Sequence, residues 1–211
     1  GLGDVYKRQD PPLRIGMLTP SSNTVVEPVV TDILSSLPAV TAHAARLRVT
    51  EISLTNKSQS QFAMETMLAA GDLLVDAQVG IMGWNGTSAS WLGFDLDQRL
   101  CDAMTTQFAV PATSAVLAIN ELLETLGCHR IAMVTPYVDD IQARILSQYG
   151  DAGYECVAER HTGESVNYAF AKITSSEIER LIREAATDGP DAIIVMCTNM
   201  RAAPLVDRLE K

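Results

Sequence analysis

The sequence has no run of Lys or Arg, no closely spaced cysteines and no long apolar stretch, and each absence removes a class of protein. Acidic residues outnumber basic ones by 26 to 16, a formal net charge of −10. Phosphate backbones are held by clustered cations, so a nucleic-acid partner is not expected. A membrane-spanning helix needs roughly 20 consecutive apolar residues. No stretch approaches that, and no basic start leads into an apolar signal segment, so no membrane partner is expected either. Cys101, Cys128, Cys156 and Cys197 lie far apart without a C-x-x-C pair. That scatter fits reduced thiols in a cytoplasmic protein rather than a disulfide framework or a zinc site. His43, His129 and His161 stand at no ligand spacing from one another, so no metal is expected.

What is present suits a globular chain. Of its 211 residues 47% are hydrophobic and 20% charged, enough apolar material for one large α/β domain or two small lobes. The stretch "DVYKRQ" (Asp4–Gln9) resembles the translation of a sequencing adapter, so residues 1–9 are set aside as a scar. Lys211 falls inside a helical pattern, and the chain is read as lacking a last strand and helix.

Two stretches copy each other. "RIGMLTP" begins at Arg14 and "RIAMVTP" at Arg130, 116 residues later. A second echo pairs Val79–Asn85 leading into Gly86-Thr87-Ser88 with Ala192–Met196 leading into Cys197-Thr198-Asn199, 111 residues on. Two echoes at nearly one offset indicate a duplicated unit. Helical spacing of apolar residues runs over Gln61–Val75, Trp91–Phe108, Ala115–Leu126 and Val138–Tyr149, and Thr174–Glu177 reads as a capping box opening a helix to about Ala186. Strands fit Val40–Val49, Tyr154–Ala158 and the start of "DAIIVM". The alternation predicts an α/β fold of two pseudosymmetric Rossmann-like lobes with parallel sheets, residues 13–114 and 115–211, and a site in the cleft between them.

Ligands of such sheets bind beyond the C-terminal strand ends. Four loops should therefore converge: Pro20–Thr24, Gly86–Ser90, Pro136–Asp140 and Cys197–Arg201. They carry Ser21, Ser22, Asn23, Thr87, Ser88, Ser90, Tyr137, Thr198 and Asn199, with one thiol, Cys197. Neutral donors can bind a carboxylate or the enediolate formed beside one, and a single such donor is typically worth about 10²–10³ in rate. A thiol at a helix start is expected to have a lowered pKa and to exchange a proton with carbon. Plainer readings stand beside these. Ser21, Ser22, Asn23, Thr87 and Ser88 suit helix caps. Tyr137, Trp84 and Trp91 suit packing walls, Arg201 a solvated helix start, and Asp139-Asp140 an acidic first turn. Cys101, Cys128 and Cys156 suit small buried residues.

"RIGMLTPSSNTVVEP" and "IAMVTPY" resemble the maleate isomerase branch of the aspartate/glutamate racemase superfamily. "GTSAS", "YVDD" and the lone Cys197 are similar to arylmalonate decarboxylase. The resemblance, from about residue 13 to Lys211, implies two Rossmann-like lobes around a cofactor-free site. It implies that Gly86 stands where two-cysteine relatives carry the first thiol and Cys197 where they carry the second. It further implies a dioxyanion pocket at Thr87, Ser88 and Tyr137, and a carboxylate ligand in Asn23. Asn199 after "CT" departs from both models. The expectation is a one-cysteine decarboxylase of malonate-like acids with Cys197 as proton donor and Gly86, Thr198 and Asn199 also lining the substrate. The alternatives are a maleate isomerase or racemase with another first base, and a noncatalytic binder of small carboxylates. The partner expected is a small carboxylic or dicarboxylic acid, with homo-oligomerisation left open.

Overall fold

Strands that are apolar on both faces belong inside parallel sheets, covered by helices on either side. The computed structural model describes residues 12–210, so the adapter reading of residues 1–9 lies outside the described residues. The chain runs β1 (Leu13–Pro20), α1 (Val26–Leu34), β2 (Val40–Leu47), α2 (Asn56–Gln59), α3 (Met64–Asp76), β3 (Ile81–Trp84), α4 (Ala89–Leu92), α5 (Phe94–Phe108) and β4 (Ala112–Ser114). It continues with α6 (Ala115–Leu126), β5 (Arg130–Thr135), α7 (Asp139–Asp151), β6 (Glu155–His161), α8 (Asn167–Phe170), α9 (Ser175–Ala186), β7 (Ala192–Val195) and α10 (Val206–Leu209).

Two parallel sheets result, ordered β2-β1-β3-β4 and β6-β5-β7. The duplication extends to register. Leu18 pairs with Trp84 in the first sheet and Val134 with Val195 in the second, positions related by the two sequence offsets. The molecule is therefore two pseudosymmetric Rossmann-like lobes. In the first, α3 lies on β1 and β2; in the second, α9 lies on β5 and β6. Across the cleft, α4 of the first lobe packs on α7 of the second. One apolar core spans both lobes and includes Leu18, Met82, Met104, Ile131, Met133, Ile141 and Tyr149.

Local chemistry explains most element ends. Thr174 Oγ1 accepts from the Glu177 amide (3.2 Å) and opens α9. The reciprocal half of the capping box is replaced by a Glu177–Arg180 ion pair. Ser114 caps α6 in the same way. Gly127 ends that helix at φ +66°, in the left-handed region that glycine enters at little cost. The single helical pattern over Trp91–Phe108 is split into α4 and α5, because Gly93 takes φ +115°. The pattern over Gln61–Val75 likewise resolves into a 3-10 turn at Ser60–Phe62 and α3, with Ala63 extended between them.

Candidate active site

Both lobes turn their strand ends toward the same cleft. A pocket between them is lined by Asn23, Gly86, Thr87, Ser88, Tyr137, Cys197, Thr198 and Asn199, which come from all four predicted loops. Val49, Ile52, Phe62, Trp84 and Trp91 supply an apolar wall. Ser21, Arg201 and Asp139 are exposed, and Asp139 and Asp140 form the acidic first turn of α7.

The residues do not all offer free polar atoms. Asn23 Oδ1 accepts from the amides of Val25 (2.9 Å) and Val26 (3.0 Å), so it caps the entry to α1. Its Nδ2 crosses the cleft to donate to Thr198 Oγ1 at 3.0 Å, and Thr198 in turn donates to the Asn85 carbonyl at 2.7 Å. Asn199 Oδ1 accepts from the Thr24 amide at 3.0 Å, while its Nδ2 donates to the Asn167 carbonyl at 2.7 Å. These three side chains fasten one lobe to the other. Arg46 holds the first loop from outside, donating to the carbonyls of Ser21 (3.0 Å) and Asn23 (2.9 Å) and pairing with Glu27. Ser22 Oγ donates to the Val49 carbonyl at 2.6 Å.

The hydroxyls deeper in the pocket are differently placed. Thr87 Oγ1 and Tyr137 Oη lie 2.7 Å apart across the lobes. Ser88 is 1% exposed and its Oγ has no protein partner. Such an atom is costly to bury unless something arrives to pair with it. The Tyr137 ring is held edge-on by Trp91 (5.2 Å between centroids) and Phe170 (5.4 Å). Burial raises its phenol pKa further above 10, so Tyr137 is a neutral donor.

Cys197 corrects one expectation. No helix begins at this residue: β7 ends at Val195, a turn follows, and the next regular turn starts at Ala203. Without a helix start, and with the thiol buried, burial dominates and pushes it up to about 11 against weaker stabilisation by the Asn199 amide, Tyr137 and the Met200 amide. The thiol is protonated at neutral pH, which suits a proton donor rather than a standing thiolate. Cys101 is buried and pushed up to about 12; it lies outside the pocket, as do Cys128 and Cys156.

The family model described as arylmalonate decarboxylase matches residues 15–211. The chain belongs to this family. It thereby falls in the Asp/Glu racemase superfamily, a catalytic lineage that also includes maleate isomerases. A maleate isomerase from Pseudomonas putida is 26% identical over 93% of this chain and 82% of its own length. An arylmalonate decarboxylase from Bordetella bronchiseptica is 27% identical, over 60% of this chain and 54% of its own length. Among solved structures, a cysteine-to-serine variant of Nocardia farcinica maleate cis-trans isomerase carrying a covalently bound succinylcysteine intermediate superposes with a TM-score of 0.82. It is 23% identical and covers 94% of this chain and 83% of that one, a likeness of fold.

One polar pocket residue of this family member is not among those the sequence singles out. Asn167, on the four-residue α8, is 5% exposed and lines the pocket. Its Nδ2 donates to Ser22 Oγ at 2.9 Å and its amide to the Thr50 carbonyl at 3.1 Å. An isolated antiparallel bridge between Glu51 and Val166 brings it there, and no local periodicity announces such a bridge. Trp84, read as a wall, has a buried Nε1 without a protein partner. A further chain of contacts supports Tyr137 from behind. The Tyr137 amide donates to Thr135 Oγ1 (3.2 Å), Thr135 Oγ1 to Gln142 Oε1 (2.7 Å), and Gln142 Nε2 to Glu159 Oε2 (3.0 Å). Glu159 and Asp139 then bracket His161, at 2.8 Å and 2.9 Å. Among the described residues, no cluster of His, Cys, Asp and Glu is arranged to hold a metal ion, and no helix is long and apolar enough to cross a membrane.

Proposed function

We propose that this protein is a cofactor-independent decarboxylase of 2-substituted malonates, in which Cys197 protonates the carbon that loses CO₂. One observation carries the reading: the pocket holds a single thiol, and that thiol is neutral. The position equivalent to Cys197 in the first lobe is Gly86, two residues beyond β3 as Cys197 is two residues beyond β7. Proton removal from one face with return to the other requires a group on each side, and covalent addition to a double bond requires a nucleophile. Decarboxylation requires neither.

The chemistry follows from the lining. One carboxylate packs against Val49, Ile52, Phe62 and Trp91 and loses its water there. The bond from its carbon to the α-carbon breaks, CO₂ departs, and the electron pair remains as an enediolate on the other carboxyl group. The hydroxyls of Thr87, Ser88 and Tyr137 hold those oxygens; one of the Thr87–Tyr137 pair donates to the other, so the pair and Ser88 together offer two free O–H groups to developing negative charge. The Cys197 S–H bond then breaks toward the α-carbon, and the resulting thiolate recovers a proton from water. Asn23, Thr198, Asn199 and Gly86 shape the floor and keep the two lobes in register.

Whole-chain similarity favours a second reading, since the Pseudomonas putida maleate isomerase matches far more of this chain than the decarboxylase relative does. On that reading the chain is a cis-trans isomerase, or a racemase, whose first-lobe group is not a thiol. The test is to offer the protein phenylmalonate, alkylmalonates and maleate. Release of CO₂ from a malonate, lost by at least about 10²-fold in Cys197→Ser, is the expected outcome. Undiminished turnover by the serine variant would overturn the proton-donor role. Conversion of maleate to fumarate without malonate turnover would establish the isomerase. Binding without α-carbon exchange in D₂O would mark a noncatalytic receptor.

A further inference from the structure

The first lobe has no side chain at Gly86, and the reason lies two residues earlier. A Cβ built on Gly86 would sit 2.0 Å from Cζ2 and 2.4 Å from Cε2 of Trp84. No real Cβ tolerates such distances. The indole is 1% exposed and its ring packs edge-on with Phe62 at 6.3 Å, so it is not a mobile end that can swing aside. Trp84 therefore fills the space into which residue 86 would project. The third nearest atom is Cη2 at 2.7 Å, so the benzo edge of the indole occupies that place, with Nε1 bonded to Cε2 beside it. That nitrogen is buried and has no protein partner. Its equivalent across the duplication is Val195, an aliphatic residue, so the indole is particular to the first lobe.

We infer that Trp84 Nε1–H is a substrate-binding donor, paired with Ser88 Oγ–H, that receives one carboxylate of the ligand opposite the Cys197 thiol. Trp84 and Ser88 supply two of the four buried side-chain polar atoms without partners among the described residues, and both line the same pocket. Two neutral donors are the chemistry of a carboxylate or enediolate receptor. An indole N–H donates only; it cannot accept a proton from carbon. The first lobe thus binds an oxygen where the second delivers a proton. The inference rests on the carboxylate chemistry proposed above, but it is read out by binding and not by turnover.

The chain has two tryptophans, Trp84 and Trp91, so the ¹⁵N-labelled protein gives two indole N–H signals, and Trp84→Phe assigns them by deletion. In Cys197→Ser, expected to bind the acid with turnover slowed, saturating phenylmalonate or maleate is expected to move the Trp84 signal downfield more than that of Trp91. Trp84→Phe in the same background, measured by calorimetry, is expected to weaken binding about 10–100-fold, the range for one hydrogen bond to a charged oxygen. If neither acid moves the Trp84 signal, the inference is overturned, whatever the phenylalanine variant does. A moved signal in a protein whose wild type releases no CO₂ would retain the inference and reject the decarboxylase.

Discussion

Asp97 offers a test whose magnitude comes directly from its surroundings. It lies in the first turn of α5, 1% exposed, with Oδ2 unpartnered. Burial raises its carboxyl from 3.8 to about 6, only partly offset by a hydrogen bond with Ser114. Because the folded state holds this proton more tightly than the unfolded chain, the folded state binds more protons between pH 4 and 6, and stability falls as pH rises. The contribution is fully present below pH 3.8 and lost as pH passes about 6. At roughly 1.4 kcal/mol per tenfold change in proton affinity, the displacement amounts to about 3 kcal/mol. Asp97→Asn keeps the shape and cannot ionise. Urea denaturation of both proteins from pH 4.5 to 8 should show the asparagine variant ahead by about 1 kcal/mol at the start, with the gap widening as pH rises. The asparagine variant should be ahead by about 2–3 kcal/mol at pH 8. Curves that stay parallel across this range would refute the account of Asp97 as a buried, unpaired carboxyl.

Three other outcomes follow from the same reasoning. His161 is raised above 6.5, because hydrogen bonds and charge from Asp139 and Glu159 outweigh the opposing effect of burial. The stability that pair contributes is present below pH 6.5 and lost as pH rises through the raised midpoint; its ring-proton NMR titration should fall back toward 6.5 in Glu159→Gln. Asn199→Ala removes the acceptor of the amide of Thr24, an exposed residue, and takes the Asn199 donor away from the buried Asn167 carbonyl. At about 1–3 kcal/mol for a buried group left unpaired, chemical denaturation should show a loss of at least about 1 kcal/mol, and a loss under about 0.5 kcal/mol would mean that water replaces the contact. Gly86→Ala alone should lose stability by about 1–3 kcal/mol through overpacking against Trp84, and should recover much of it when combined with Trp84→Leu; additive losses in a thermal double-mutant cycle would count against the steric coupling.

Much of the architecture is local enough to be legible in residues. The strands at Arg14 and Arg130 announce themselves by β-branched apolar runs ending at Thr-Pro, and their duplication predicts two matched sheets. Thr174 and Ser114 mark helix starts because a hydroxyl cap needs only neighbours two or three residues away. The strand-end rule then places Asn23, Gly86, Thr87, Ser88, Tyr137 and Cys197 around one pocket without any coordinates. Burial and long-range partners are not local, and those decided the rest. Cys197 was expected to be acidified by a helix that does not form, and its enclosure makes it a weaker acid instead. Asn167 reaches the pocket through a bridge between segments more than 100 residues apart in the chain. Sequence alone determined which side chains the two lobes present at their strand tips. Only tertiary structure decided which of them have polar atoms left to offer, because it spends Asn23, Thr198 and Asn199 on holding the lobes together and leaves Ser88 Oγ and Trp84 Nε1 buried without a protein partner.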